Sequence, residues 1–297
     1  MLLSRRHFVA LPLAALLPHR VNSQPALGPL ITRAIPSSGE ALPAVGLGTA
    51  YVFNRDDGET RQKAGEVLQA LVSGGGRLID TASTYGDAES VLGSVVATSG
   101  MRERLFLATK VEAPSVSEFK RSLARLRVAQ VDLLQLHNVR DARQSLAQFR
   151  EWKAQGLCRY IGITSTFHQD FAAVEAVLKN EKPEFVQIDY SIDNRVAEER
   201  ILPLAADVRA GVLTAVPLGR ARLFRAVRGQ PIPEWAREFS ATWAEFFLKF
   251  LLADERITAV IPGTSSAEHM AENLGAMRGR LPSADERKRM ASFVATL

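Results

Sequence analysis

The sequence predicts an α/β protein, a single (β/α)8 TIM barrel, on three observations. Eight short apolar runs alternate with segments of helical spacing. The runs are continuously apolar, as strands buried on both faces of a parallel sheet are. Titratable residues stand at the C-terminal ends of successive runs, where the loops of such a barrel converge.

The elements follow in order. "AVGLGTA" (44–50) is the first strand, and Ala64, Val67, Leu68 and Leu71 form a helical stripe that "GGG" ends. "RLIDTA" (77–82) and "LFLATKV" (105–111) precede a stripe of Phe119, Leu123 and Leu126. "VDLLQLH" (131–137) leads to Leu146, Phe149 and Trp152, and "YIGITS" (160–165) to Phe171, Val174 and Leu178. "FVQIDY" (185–190) leads to Ile201, Leu204, Ala205 and Val208. "VLTAVPL" (212–218) leads to Trp243, Phe246, Phe247, Phe250 and Leu251, and "ITAVIPG" (257–263) is the eighth strand. Each stripe keeps i, i+3, i+4 spacing, so each helix has one apolar face to lay on the sheet. The aromatic cluster at 243–250 reads as core.

A chain of 297 residues accommodates one such barrel. With 46% hydrophobic and 23% charged residues and no repeat or low-complexity tract, it has the composition of a globular protein. Residues 1–23, "MLLSRRHFVALPLAALLPHRVNS", carry paired arginines, Arg5 and Arg6, an apolar run from Phe8 to Leu17, and small residues beyond. The run is shorter than the roughly 20 residues a membrane span needs, so stable membrane insertion is not expected. The segment resembles a twin-arginine export signal, which implies the export machinery as a partner and a periplasmic location; the alternative is a cytoplasmic protein. The barrel is then residues 24–297. Loss of Arg5, Arg6 and Arg20 lowers the formal charge from +5 to +2, and no basic stripe interleaved with aromatics suggests nucleic acid. The single cysteine, Cys158, has no internal disulfide partner.

The strand ends carry the chemistry. Asp80 closes the second run with Tyr85 just beyond, Lys110 lies near the end of the third, and His137 ends the fourth. Singly, each has a bland account: an aspartate caps a helix, a lysine snorkels, a histidine is satisfied in a core. Together they form a relay. A tyrosine phenol, with a reference pKa of about 10, holds its proton too tightly for neutral pH. A nearby ammonium lowers that value, and a buried carboxylate keeps the ammonium charged. Asp80, Lys110 and Tyr85 therefore suit a general acid, and a neutral His137 suits donation of a hydrogen bond to a substrate oxygen. Such a site protonates an alkoxide as it forms and needs a hydride donor.

The ordered motifs "GLGT", "LIDTASTYG", "FLATKV", "LLQLH", "GIT", "VQIDYS", "VPLGR" and "IPGTSSAEHMAENLGAM" resemble the aldo-keto reductase superfamily over residues 44–280. The resemblance implies a (β/α)8 barrel that binds NADPH or NADH and reduces an aldehyde or ketone, or oxidises the corresponding alcohol or sugar. It also implies a catalytic tetrad of Asp80, Tyr85, Lys110 and His137, with Tyr85 the proton donor. Thr49, Asp80, Thr164, Ser165 and Gln187 match positions near the nicotinamide, where Gln187 would hold the carboxamide. Leu218, Gly219 and Arg220 match the loop along the pyrophosphate. Thr264, Glu272 and Asn273 match the adenosine end, where Gly263, Ser265 and His269 also fall at cofactor positions, and a helix starting near Ser266 offers its N-terminus to a phosphate.

There are departures. The lysine and arginine that accompany NADP preference in the family are replaced by Gly263 and His269, leaving Thr264, Ser265, Ser266, Arg220 or Arg222 to hold a 2′-phosphate. NADP is still expected over NAD. Ala215 stands where many members stack a tyrosine on the nicotinamide, with Phe224 a candidate replacement. Thr164 and Ser165 replace a common Ser-Asn pair. Only "NVRD" separates His137 from the next helical pattern, which predicts an open substrate pocket. Two other readings are a metal-dependent barrel, which lacks further ligands at the strand ends, and a redox-sensing protein that holds the dinucleotide with little turnover.

Overall fold

The computed structural model describes residues 28–297; residues 1–27, with the paired arginines and the apolar run, lie outside the described residues. An antiparallel hairpin, β1 (Thr32–Ala34) and β2 (Ala41–Pro43), precedes the alternating part. Then come β3 (Leu47–Gly48), α1 (Gly58–Ser73), β4 (Leu78–Asp80), α2 (Ala88–Ser99), β5 (Phe106–Val111) and α3 (Val116–Leu126). Next are β6 (Val131–His137), α4 (Ala142–Ala154), β7 (Cys158–Ser165), α5 (Phe171–Glu181), β8 (Phe185–Asp189) and α6 (Ile201–Asp207). The chain ends with β9 (Gly211–Ala215), α7 (Arg222–Ala226), α8 (Trp243–Leu252), β10 (Ile257–Val260), α9 (Ala267–Gly275) and α10 (Ala284–Val294).

Strands β3 to β10 pair in sequence order, all parallel. Parallel bridges Val45–Val260 and Gly48–Gly263 join the first of them to the last, so the eight-strand barrel is present and closed. Several strands are shorter than the apolar runs, because their C-terminal ends bend into loops, whereas β6 matches its run and β7 begins before it. The run at 212–218 leaves the sheet at Ala215, and Val216 takes φ 53°.

Side chains two apart on a strand share a face, so the lining of the barrel can be read off the register. Its lower part is one apolar cluster that includes Leu78, Phe106, Leu133, Tyr160, Phe185 and Leu213. The β1–β2 hairpin, absent from the sequence expectation, plugs this end. Ile35 and Leu42 join the cluster, and the Tyr160 hydroxyl donates to Glu40 at 2.9 Å. Two residues further along β4, β6 and β8, and four further along β5 and β7, the lining turns polar, at Asp80, Gln135, Gln187, Lys110 and Thr164. The larger cluster fills the layer between barrel and helices, aromatics of α8 included. Among the described residues no helix is long and apolar enough to cross a membrane.

Candidate active site

The polar end of the barrel holds the four residues the sequence singles out. Asp80 ends β4 and is 5% exposed; Lys110 on β5 is 1% exposed. The Lys110 ammonium donates to Asp80 Oδ2 at 2.5 Å and to the Thr81 carbonyl at 2.9 Å. Gln135, opposite Lys110 in the β5–β6 register, donates from Nε2 to Asp80 Oδ1 at 3.1 Å. Burial alone would depress Lys110, but the Asp80 carboxylate, together with the Tyr85 phenol, offsets this and holds the ammonium above its ordinary range.

Tyr85 lies in the loop after β4, and that loop is fixed by continuing the sheet's hydrogen bonding. Thr81 N–H donates to the Ala108 carbonyl at 3.0 Å and Ser83 N–H to the Lys110 carbonyl at 3.0 Å. The Ser83 hydroxyl donates to Glu118 on α3 at 2.7 Å. Gly86 closes the turn at φ 55°, where a β-carbon would stand 2.8 Å from the Asn54 carbonyl oxygen. The result is a partly buried phenol with Lys110 Nζ 5.0 Å from its ring centroid. Burial raises the Tyr85 pKa, and this outweighs the lowering by Lys110. Lys110 thus acts on the phenol in the expected direction, but burial acts against it and is the larger effect in the protein alone.

His137 ends β6, its ring edge-on to Tyr85 with centroids 5.7 Å apart. Its Nδ1 lies 2.8 Å from Glu112 Oε1 and 3.2 Å from Thr84 Oγ1. Burial, then the Lys110 ammonium, push the imidazole down to about 4. The ring is therefore neutral at neutral pH.

The residues matched to cofactor positions stand around the same end of the barrel. Thr49, fully buried, donates its hydroxyl to the Asp80 carbonyl at 3.1 Å. Thr164 is aligned with His137 on one side and Gln187 on the other. Gln187 is 2% exposed, and its Nε2 has no hydrogen-bond partner. An orphaned buried amide is costly and marks a place for an acceptor, which suits a carboxamide oxygen. Ser165 is committed elsewhere: its hydroxyl donates to Asp170 at 2.7 Å and accepts from Phe167 N–H at 3.1 Å. Beyond β9, Gly219 and Arg220 take φ 60° and 50°, with Leu218 half-buried before them.

Gly263 bridges to Gly48, and the Thr264 hydroxyl accepts from Ser266 N–H at 3.1 Å. Ser266 caps α9 by accepting from the His269 N–H. Ser265 and His269 are exposed, Glu272 half-buried and Asn273 buried. Phe224 turns its ring edge-to-face onto Phe247 of α8, 5.8 Å away. That ring packs on a helix of the outer layer, so the expectation that it replaces a stacked tyrosine finds no support.

The strand-end reading missed Gln135, Glu112 and Asp189. All three follow from the two-residue period: Gln135 precedes His137, Glu112 follows Lys110 and Asp189 follows Gln187 on the same faces. Burial raises Asp189, whose Oδ1 has no partner. Among the described residues no three His, Cys, Asp or Glu side chains converge as metal ligands.

The model of the Aldo/keto reductase family matches residues 44–294. The chain belongs to that family. This aldo/keto reductase is 27% identical over 261 residues to the methylglyoxal reductase YeaE of Escherichia coli, covering 84% of the chain and 90% of the relative. It is 31% identical over 243 residues to an aldo-keto reductase of Mycolicibacterium paratuberculosis, covering 78% and 79%. An aldo-keto reductase from Klebsiella pneumoniae, solved in complex with NADPH, superposes with a TM-score of 0.77 at 26% identity, covering 89% of this chain and 96% of that one. This aldo/keto reductase is an NAD(P)-dependent oxidoreductase.

Proposed function

We propose that this aldo/keto reductase reduces small aldehydes or ketones with NADPH, using Tyr85 as the general acid. The observation that carries the reading is the buried Lys110–Asp80 pair at 2.5 Å, with the Lys110 ammonium 5.0 Å from the centre of the Tyr85 ring. The bound dinucleotide supplies the hydride. Tyr85 gives its proton to the substrate oxygen as that oxygen gains negative charge. The phenolate left behind faces the Lys110 ammonium, which Asp80 and the Thr81 carbonyl hold in place and Gln135 steadies through Asp80. His137 stands beside the phenol and orients the substrate oxygen.

Gln187 would hold the nicotinamide carboxamide through its free Nε2, with Thr49 and Thr164 beside it. Leu218, Gly219 and Arg220 would follow the pyrophosphate. Thr264, Ser265 and the N-terminal turn of α9 would meet the adenosine phosphate, with Glu272 and Asn273 at the adenine. NADP is favoured because relatives were solved with NADPH or NADP, although Gly263 and His269 supply no fixed cation. Fluorescence titration with NADPH and NADH, followed by a panel of carbonyl compounds, tests the assignment. The expected result is tighter NADPH binding and a Tyr85→Phe variant that binds it equally well but does not turn over. Full turnover in that variant removes Tyr85 as the acid.

Export through the twin-arginine pathway rests on residues 1–23 alone, and a folded, cofactor-loaded passenger would suit that route. Fractionation of cells producing the full chain checks it: periplasmic protein that is lost in an Arg5→Lys/Arg6→Lys variant is the expected outcome, and protein confined to the cytoplasm refutes it.

A further inference from the structure

Two buried polar atoms follow one another on the barrel face of β8, and neither has a hydrogen-bond partner among the described residues: Nε2 of Gln187, a donor, and Oδ1 of Asp189, an acceptor. Residues two apart on a strand share a face, with about 6.6 Å between their α-carbons. The neighbours of Asp189 are committed elsewhere or too small to cover it. Across the β8–β9 register stands Ala215, with a single methyl. Arg222 donates to Asp193 at 3.0 Å and to the Gly219 carbonyl at 3.3 Å. On β7 the Ser165 hydroxyl donates to Asp170 at 2.7 Å. Asn194 approaches the Asp189 carboxyl from the loop after β8 without engaging Oδ1, and His168 and Arg220 reach it through charge alone. An unpaired buried donor and an unpaired buried acceptor are each costly, so the two on one face mark a ligand that carries an acceptor and a donor side by side.

We propose that Asp189 is a cofactor-binding residue of this reductase: Gln187 Nε2 donates to the oxygen of the nicotinamide carboxamide, and Asp189 Oδ1 accepts from its NH2 group. This rests on the reductase reading above and deepens it. At the nicotinamide end of the dinucleotide the primary carboxamide sets an acceptor and a donor on one carbon. With a hydrogen bond of about 2.9 Å at each side, so small a group spans the rise between the two residues. Holding both of its atoms fixes the rotation of the carboxamide as well as its place, which a single contact through Gln187 does not. Burial disfavours the charge on Asp189, and an N–H brought to Oδ1 favours it again.

Two dinucleotides that differ only at this group test the assignment. In 3-acetylpyridine adenine dinucleotide phosphate a methyl replaces the NH2 of the carboxamide while the carbonyl oxygen stays, so the contact with Gln187 is kept and the contact with Asp189 is lost. Binding of this analogue and of NADP, both oxidised, is measured by calorimetry for the wild type, Asp189→Ala, Asp189→Asn and Gln187→Leu. The ratio of the two affinities cancels whatever acts on both, such as loss of a negative charge from the site. The wild type is expected to bind NADP about 10- to 100-fold tighter than the analogue, the worth of a hydrogen bond to a charged acceptor, and Asp189→Ala to bring the ratio close to one. Asp189→Asn, whose amide oxygen still accepts, should keep roughly a 3- to 10-fold preference, and Gln187→Leu should weaken both dinucleotides alike. A wild type that does not discriminate between the two overturns the proposal, and that measurement needs no variant to fold. So does an Asp189→Ala that lowers both affinities equally or keeps the wild-type preference. Binding of neither dinucleotide overturns the proposal and the reductase reading together, whereas full turnover in Tyr85→Phe with the ratio intact removes the acid and leaves Asp189 its role.

Discussion

Asp80→Asn removes the negative charge beside Lys110 while keeping the side chain's shape. In the wild type a 2.5 Å contact at an effective dielectric of about 20 is worth about 7 kcal/mol of gross attraction. The amide oxygen of Asn still accepts one hydrogen bond, and loss of one partner of a buried pair typically costs about 3–5 kcal/mol. The variant has one escape, which is to release the Lys110 proton. Relative to an unfolded lysine titrating near 10.4, that costs about 4.6 kcal/mol at pH 7 and only about 2 kcal/mol at pH 9. The sign follows. Lys110 has a raised pKa in the native protein, so the stability it contributes is complete below about 10.4 and is lost as pH rises through the native value. The penalty of Asp80→Asn should therefore be about 3–5 kcal/mol at pH 7 and shrink to about 2 kcal/mol at pH 9. Urea unfolding of both proteins at the two pH values measures it, and the double variant Asp80→Leu/Lys110→Met should recover much of the loss. A penalty below about 1 kcal/mol at pH 7, or one that does not change with pH, refutes the account of a charged lysine held by its carboxylate.

The remaining predictions are shorter. Tyr85→Phe should lower the reduction rate by at least about 100-fold with NADPH affinity unchanged. Because burial raises the Tyr85 pKa, the acid form persists as pH rises, and the wild-type reduction rate should show no fall on the alkaline side of neutrality that is due to this group; a fall near pH 7 would assign the acid elsewhere. Gln187→Leu should weaken dinucleotide binding roughly 3- to 10-fold without loss of thermal stability, since it removes an unpartnered buried amide; calorimetry and a melting curve check the two halves. Gly93→Ala places a β-carbon 2.0 Å from the Arg125 carbonyl oxygen where α2 meets α3, and should destabilise by about 1–3 kcal/mol while leaving the KM of the folded fraction unchanged.

The fold was legible because a parallel barrel buries both faces of its strands, and that leaves apolar runs no exposed segment would carry. All eight runs contain barrel strands, most of them trimmed at one or both ends. The hairpin β1–β2 was not legible. Its strands are three residues each, and what fixes them is the barrel end they plug, through Ile35, Leu42 and the Glu40 contact with Tyr160. α2 was missed for another reason. Buried residues 88, 89, 91, 92, 93, 95 and 96 cover most of its circumference, so no single stripe stands out.

The site divides along the same physical line. Asp80, Lys110 and His137 were visible as ionisable residues ending apolar strands, which is a pattern along the chain. Their pairing with Gln135 and Glu112 depends on the parallel register of β5 with β6, which sets residues 25 apart side by side. Burial decides the sign of an effect the sequence left open. The same burial that makes the Lys110–Asp80 pair strong raises Tyr85, so a phenol short of acidity is the expected state of the protein alone. A lysine at the right strand end thus specifies which group takes part, while the neighbouring carboxylate holds it in its charged state.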